Sequence, residues 1–317
     1  MNATESRPTS RAEDSRARET GARSTGRTLT PAAFLGKALV TVVILFFVFV
    51  FGMPIVWLLL APTKSSTELT GRPPFSFGSF ATIADNWSRL SEFQNGIIWQ
   101  WTGNAALYTG VALVITLIVT IPAGYALAMT KFRFRGVLLI LTLVVMLIPN
   151  TALVLPVFLE MSALKLVGTP WAVILPFSFF PFGVYLTYIY FTTSVSQDLL
   201  NAARIDGASE LRVFRSVALP LATPVIALVG FFNLVGNWNN YFLPFVMEPG
   251  RKAPIQVGLA ELLSNVPLFN PTSSASVTLD LPVMALATIV SIAPILIVFL
   301  FSQRFLVEGM TAGGTKE

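Results

Sequence analysis

The sequence predicts an all-α polytopic membrane protein with six transmembrane helices and both termini cytoplasmic. Three observations lead there. Of 317 residues, 54% are hydrophobic and only 12% are charged, which is too little charge to keep a soluble chain of this size dispersed. Six apolar stretches of roughly twenty residues or more follow one another along the chain, each long enough to cross a bilayer as a helix. Positive charge is unevenly shared among the segments between them, and that asymmetry fixes orientation.

Residues 1–34 are expected to be a disordered cytoplasmic tail. The first thirty positions hold six of the 21 basic residues and hardly a large apolar side chain, so ordering them has nothing to offset its entropy. Gly21-Ala22-Arg23-Ser24-Thr25-Gly26-Arg27-Thr28 imitates a phosphate-binding loop. It lacks the strand before and the helix after that such a loop needs, and it reads as chance. The first apolar run, 38–60, is longer than the core of a secretory signal.

Residues 35–310 then form the expected six-helix domain, with spans near 38–60, 104–129, 137–158, 170–192, 219–246 and 282–303. Pro170, Pro176 and Pro181 fall in the fourth, and Pro220, Pro224 and Pro244 bracket the fifth, so both should be kinked. Lys131, Arg133 and Arg135 follow the second span, and Arg204, Arg212 and Arg215 follow the fourth. The opposite segments are longer yet poorer in cations. These loops and the basic tail therefore face the cytoplasm. Residues 311–317 make a short cytoplasmic C-terminal tail. Asn86-Trp87-Ser88 has the form of a glycosylation acceptor but reads as coincidence in an exterior loop.

Composition also excludes chemistry. Cysteine and histidine are both missing, which removes thiol nucleophiles, histidine bases and nearly every transition-metal site. No Asp, Glu, Lys or Arg lies well inside a span. A charge at mid-bilayer costs about 2.5–3.5 kcal/mol even on the gentler insertion scale, so chains keep one only for function. Proton-coupled carriers and intramembrane proteases need such groups. No catalytic or metal-binding residue is expected, and the driving energy comes from elsewhere.

Two segments are candidates for function. In 196–218, Ser196 can cap a helix running to about Asp206, Gly207 suits a left-handed turn after it, and Ser209 can cap a second helix. Leu211, Phe214 and Val217 should share a face of that helix. Ala202 and Ala203 make the first helix slim on one side. The product is a compact amphipathic knob suited to a cleft on another protein, or else an ordinary interfacial loop. In the fifth span, Trp238, Asn239, Asn240 and Tyr241 combine aromatic faces with amides. That mixture suits a sugar, and equally suits contacts between helices.

The first candidate resembles the EAA loop of ABC importer permeases. Ala202, Ala203, Asp206, Gly207, Ala208 and the pair Leu219-Pro220 match, while Asn201 stands where that pattern has glutamate. Further similarity to the carbohydrate-uptake branch, the maltose and glycerol-phosphate type, runs from about residue 40 onward. It is carried by Tyr125-Ala126-Leu127-Ala128 with Phe134-Arg135-Gly136, by Ile148-Pro149 and Pro156, by Trp238-Asn239-Asn240-Tyr241 with Pro244, and by the ending Gln303 to Gly314. The resemblance implies a non-catalytic subunit of the bacterial plasma membrane that forms half of a sugar pathway. Its implied partners are a second homologous permease subunit, two ATP-binding cassette ATPases that use ATP and Mg, an extracellular solute-binding protein and the lipid bilayer, with no nucleic acid. No cofactor is implied for this chain itself. Asn201 cannot supply the charge of the pattern's glutamate, so that polar contact is weaker here or rests on packing. The competing reading is an autonomous secondary carrier or channel for a small polar solute.

Overall fold

The computed structural model describes residues 31–248, 250–267, 269 and 279–311, with side chains at all of these except 31–34 and 304–311. The expected disorder over 1–30, the phosphate-loop imitation within it and the end of the chain from 312 lie outside the described residues. Those described are mostly helical, with no strand among them. The chain divides into two compact units, Met1–Ile55 and Val56–Glu317. The described part of the first is a single helix, most of α1 (Pro31–Leu60). Proline suits a first helical turn, because its φ is already helical and its missing N–H would have had no partner.

The second unit opens with a 3-10 turn (Ala61–Thr63), α2 (Ser66–Gly71) and α3 (Phe80–Glu92). Ser65 and Glu68 close a reciprocal capping box on α2. The Ser65 backbone N–H holds the Glu68 carboxyl below the usual glutamate range. Lys64 is fully buried, and its ammonium donates to the carbonyls of Pro73 at 3.0 Å and Pro74 at 2.8 Å. Gly78 lies so close to the Thr63 carbonyl that a Cβ would collide with it. Asn86 is buried too, its amide donating to Pro62 and Lys64 carbonyls at 2.9 and 3.3 Å. Asn86 of the Asn-Trp-Ser triplet is therefore a fastener of the fold, while Trp87 and Ser88 are exposed.

The long helix α4 (Ile97–Met129) is the axis of this unit. Gly124 meets Thr187 so closely that no side chain fits there, and a Cβ at Gly183 would collide with Phe180 and press on Thr120 at 3.0 Å. These contacts seat α8 (Pro181–Ser194) directly against α4. Before α8 come α5 (Arg135–Met146), α6 (Asn150–Ala163) and α7 (Trp171–Ser178). The directions of α5 and α6 differ by 107°. The third apolar run, expected over 137–158, is thus sharply bent. Pro149 offers no N–H and disfavours the helical conformation at Ile148.

After α8 the chain forms α9 (Gln197–Ile205), α10 (Glu210–Val213), a π turn (Phe214–Ala218), α11 (Leu219–Leu221), α12 (Thr223–Trp238), α13 (Phe242–Met247), α14 (Ile255–Ser264) and α15 (Leu281–Thr311). The expected fifth span, 219–246, is also in pieces. The α10–α11 segment meets α12 at 75°, and Asn239–Tyr241 separate α12 from α13. Among the described residues, four helical stretches are long and apolar enough to cross a membrane: Leu35–Thr63, Ile97–Met129, Trp171–Ser194 and Leu281–Gln303. The count becomes six if each bent pair is one span.

Candidate functional site

The knob is built as a clamp. The Ser196 hydroxyl accepts from the Asp198 N–H and starts α9. At its other end Gly207 takes φ +82°. Ala208 N–H then reaches the Ala203 carbonyl and Gly207 N–H the Arg204 carbonyl, both at 3.0 Å. This crossed pair closes the last turn and reverses the chain. Ser209 occupies the cap position of α10, but its side chain makes no capping bond, contrary to expectation. Leu211 is also misplaced by the sequence reading: it is 65% exposed, while Phe214 and Val217 pack inward. The π turn is the cause, because its wider winding rotates Phe214 to Ala218 away from the register of α10. Pro220, which cannot donate to the carbonyl four residues back, follows at once.

Two side chains root the knob. Leu200 and Val213 are fully buried in one cluster with Tyr125, Ala128 and Met129 of α4 and Phe191 of α8. The Phe214 ring lies 4.9 Å from that of Tyr125. Across the top, Arg204 bridges the two short helices. It bonds both Glu210 carboxylate oxygens, at 2.7 and 3.2 Å, and Asn201 Oδ1 at 2.8 Å. Glu210 is accordingly held below the usual carboxyl range, first by that hydrogen bond. Ile205, Leu211 and Leu199 stand exposed on the rooted knob. Of the site residues named from sequence, Asn201, Ala202, Asp206 and Gly207 are exposed, and Ala203 and Ala208 are half-buried.

The second candidate segment does not present all four residues to one space. Trp238 is buried, and its indole N–H donates to the Ser291 carbonyl of α15 at 3.0 Å. Asn240 accepts from Leu243 N–H and so starts α13. Asn239 is exposed, with its amide on the Val235 carbonyl of its own helix. Tyr241 is exposed and stacks on Phe245 at 5.3 Å. The segment is a break in the helix with an amide and a phenol at its surface.

Sequence reasoning passed over Asn233 and Asn237. Their amides donate to the Phe177 carbonyl at 3.2 and 3.0 Å, and Asn237 also donates to Asn233 Oδ1. That carbonyl lies four residues before Pro181, which has no N–H to offer it. Thr116 supplies the neighbouring Ser178 carbonyl at 3.1 Å. The pairing of Pro181 with amides one turn apart on another apolar run was the available signal.

Apolar helices around α4, a clamped turn rooted at one of its ends and broken helices between them have the build of a multi-pass membrane protein. Residues 120–312 match the family described as the binding-protein-dependent transport system inner membrane component, and the chain belongs to that family. It is 32% identical over 280 residues to the arabinooligosaccharides transport system permease protein AraQ of Halalkalibacterium halodurans, covering 88% of this chain and 96% of that one. It is 28% identical over 267 residues to the sulfoquinovosyl glycerol transport system permease protein SmoH of Agrobacterium fabrum, covering 83% and 90%. A solved bacterial ABC transporter involved in the import of the acidic polysaccharide alginate has the same fold. Its TM-score is 0.75 at 23% identity, covering 87% of this chain and 98% of that one. As a member of this family the chain is a multi-pass protein of the plasma membrane and a transport subunit of an ABC importer.

Proposed function

We propose that this chain is one of two homologous permease subunits of an ATP-driven importer, and forms half of the pathway for a sugar or oligosaccharide. An extracellular solute-binding protein delivers the cargo, and two ATP-binding cassette subunits hydrolyse ATP with Mg. The knob, centred on Asn201, Ala202, Ala203, Asp206, Gly207 and Ala208, seats in a groove of one ATPase. In this reading all six apolar runs traverse the bilayer and both termini are cytoplasmic. Trp238, Asn239, Asn240 and Tyr241 form the pathway segment. Asn239 and Tyr241 touch the cargo there, while Trp238 and Asn240 hold the break open.

The observation that carries the reading is the build of the knob. A loop that only joined two helices would not need a crossed turn, an arginine clamp and two buried roots beneath an exposed apolar tip. A rigid tip on a rigid root transmits a push. The sugar class is supported by the relatives, whose names specify arabinooligosaccharides, sulfoquinovosyl glycerol and diacetylchitobiose.

The test is reconstitution. Proteoliposomes holding the co-purified assembly should accumulate the ligand of the associated binding protein only when ATP is supplied to the ATPase side. Liposomes holding this chain alone should not. Accumulation by the isolated chain would favour the secondary carrier or channel instead.

A further inference from the structure

We infer that α3 is an interfacial helix, seated in the leaflet at the end of α4 opposite the knob, with Trp87 and Trp99 as its anchor. Three arcs run along α3. Ile83, Asn86 and Leu90 face inward, the last two of them buried. Asp85, Ser88 and Glu92 form an exposed polar arc, with the Ser88 hydroxyl on Glu92 at 2.7 Å. Between these lies an exposed apolar arc of Phe80, Ala84 and Trp87, with Phe80 77% exposed. Residues spaced by four and three share a face of a helix, so this arc is continuous.

The arc does not end on α3. The Trp87 ring lies 5.5 Å from that of Trp99, and Phe77 lies 4.9 Å from Phe80. Trp99 sits in the first turn of α4, the 33-residue helix that crosses the membrane. Further along α4 Leu107 and Val114 are exposed. The aromatic patch thus joins the apolar surface of a membrane span at the height where that span begins. An indole has an apolar body and a polar N–H, and concentrates at the headgroup level for that reason.

The order of the three arcs identifies the occupant. An apolar arc between a protein-facing side and a charged side matches a helix lying in the plane of an interface, with lipid on one flank and water on the other. The patch contains no Lys or Arg. Arg89, the cation of α3, is taken by Asp280 at 2.8 Å. The attraction is therefore to the apolar–polar boundary and needs no anionic lipid. The inference uses the family's membrane location alone and is independent of the cargo and of the knob's partner.

The chain has no cysteine, so single thiols can be placed without background. Phe80→Cys, Ala84→Cys, Ala81→Cys and Asp85→Cys, each in the intact uptake-competent assembly, would carry a nitroxide in nanodiscs of uncharged phosphatidylcholine. Power saturation then compares dissolved oxygen, which partitions into lipid, with a water-soluble nickel chelate. Positions 80 and 84 should favour oxygen severalfold over the chelate, and 81 and 85 should show the reverse. Free access of the chelate to all four would overturn the inference, because the arc would then face water. Shielding of 80 and 84 from both reagents would overturn it too, because a protein surface would then cover them.

Discussion

At the scale of single residues, Gly207 and Glu248 carry the clearest consequences. Gly207 has open space around its missing Cβ, so crowding does not select glycine there. Its φ of +82° does. A β-branched residue held there is strained by about 1–2 kcal/mol, enough to loosen the crossed turn while leaving Leu200 and Val213 rooted. Gly207→Val should therefore assemble with its partners but transmit poorly. The expected result is ATP hydrolysis that continues while the ratio of sugar imported to ATP hydrolysed falls. An unchanged ratio would show that the turn's geometry is not used. Glu248 makes a different case. It follows α13, is 1% exposed, and its Oε1 has no hydrogen-bond partner. Burial pushes its carboxyl above the usual glutamate range, and the positive charge of Lys252 only partly opposes this. The unfolded chain loses that proton at lower pH than the native one. Between the two values the native state binds more protons, so stability falls as pH rises through this window. Glu248→Gln should flatten the slope, and melting curves of the purified assembly from acid to neutral pH would display it. An equal slope in wild type and variant would place the titration elsewhere.

At the scale of elements, the break between α7 and α8 is held by groups from outside both. Phe177 O accepts from two amides at once, and loss of one leaves the other in place. Asn237→Leu or Asn233→Leu alone should cost about 0.5–1.5 kcal/mol, the net value of an ordinary hydrogen bond. The double variant orphans a buried carbonyl, adding about 1–3 kcal/mol, so the two effects should be more than additive in thermal unfolding. Simple additivity would mean the amides do not share the carbonyl. The Arg204–Glu210 pair contrasts with this. At 30% and 61% side-chain exposure it adds under about 1 kcal/mol, so its use lies in orienting the two short helices. These elements also mark what was legible in the sequence. Apolar length disclosed where the chain can cross a bilayer, and Ser196 and Gly207 disclosed both ends of α9, because those signals are local. The 107° turn at Pro149, the π turn before Pro220 and the burial of Trp238 were not legible. A proline announces a kink but not its angle. Whether an indole in an apolar run faces a pathway or a neighbouring helix depends on Ser291, 53 residues away in sequence.

At the scale of the whole molecule, the cations of the second unit lie toward the two ends of α4, and Arg204, clamped to Glu210, is paired at the end where most are not. On the side where α4 begins, Lys64 is buried on two carbonyls, Arg72 pairs with Glu68 and Arg89 with Asp280, and Lys252 donates to the Gly168 carbonyl at 2.7 Å. On the side where α4 ends, Lys131, Arg133, Arg135, Arg212 and Arg215 take part in no ion pair among the described residues. Orientation follows the number of Lys and Arg in short loops near the ends of spans, and acidic neighbours contribute little. Lys131, Arg133 and Arg135 in one short turn and Arg204, Arg212 and Arg215 in the next therefore carry the expected orientation by number. The knob shares the second side, since α9 follows α8 and its root packs on Tyr125 and Met129. This predicts one sidedness for everything attached to that end of α4. Ala202→Cys on the knob and Phe132→Cys beside the basic turn should react with a membrane-impermeant maleimide only in inverted vesicles. Asp85→Cys on α3 should react only in intact cells whose outer barrier has been opened. In assemblies purified with the ATPase, by contrast, a partner seated on the knob should protect position 202 and leave 85 reactive. Labelling of 202 from outside would overturn the orientation and, with it, the assignment of the knob to an ATPase.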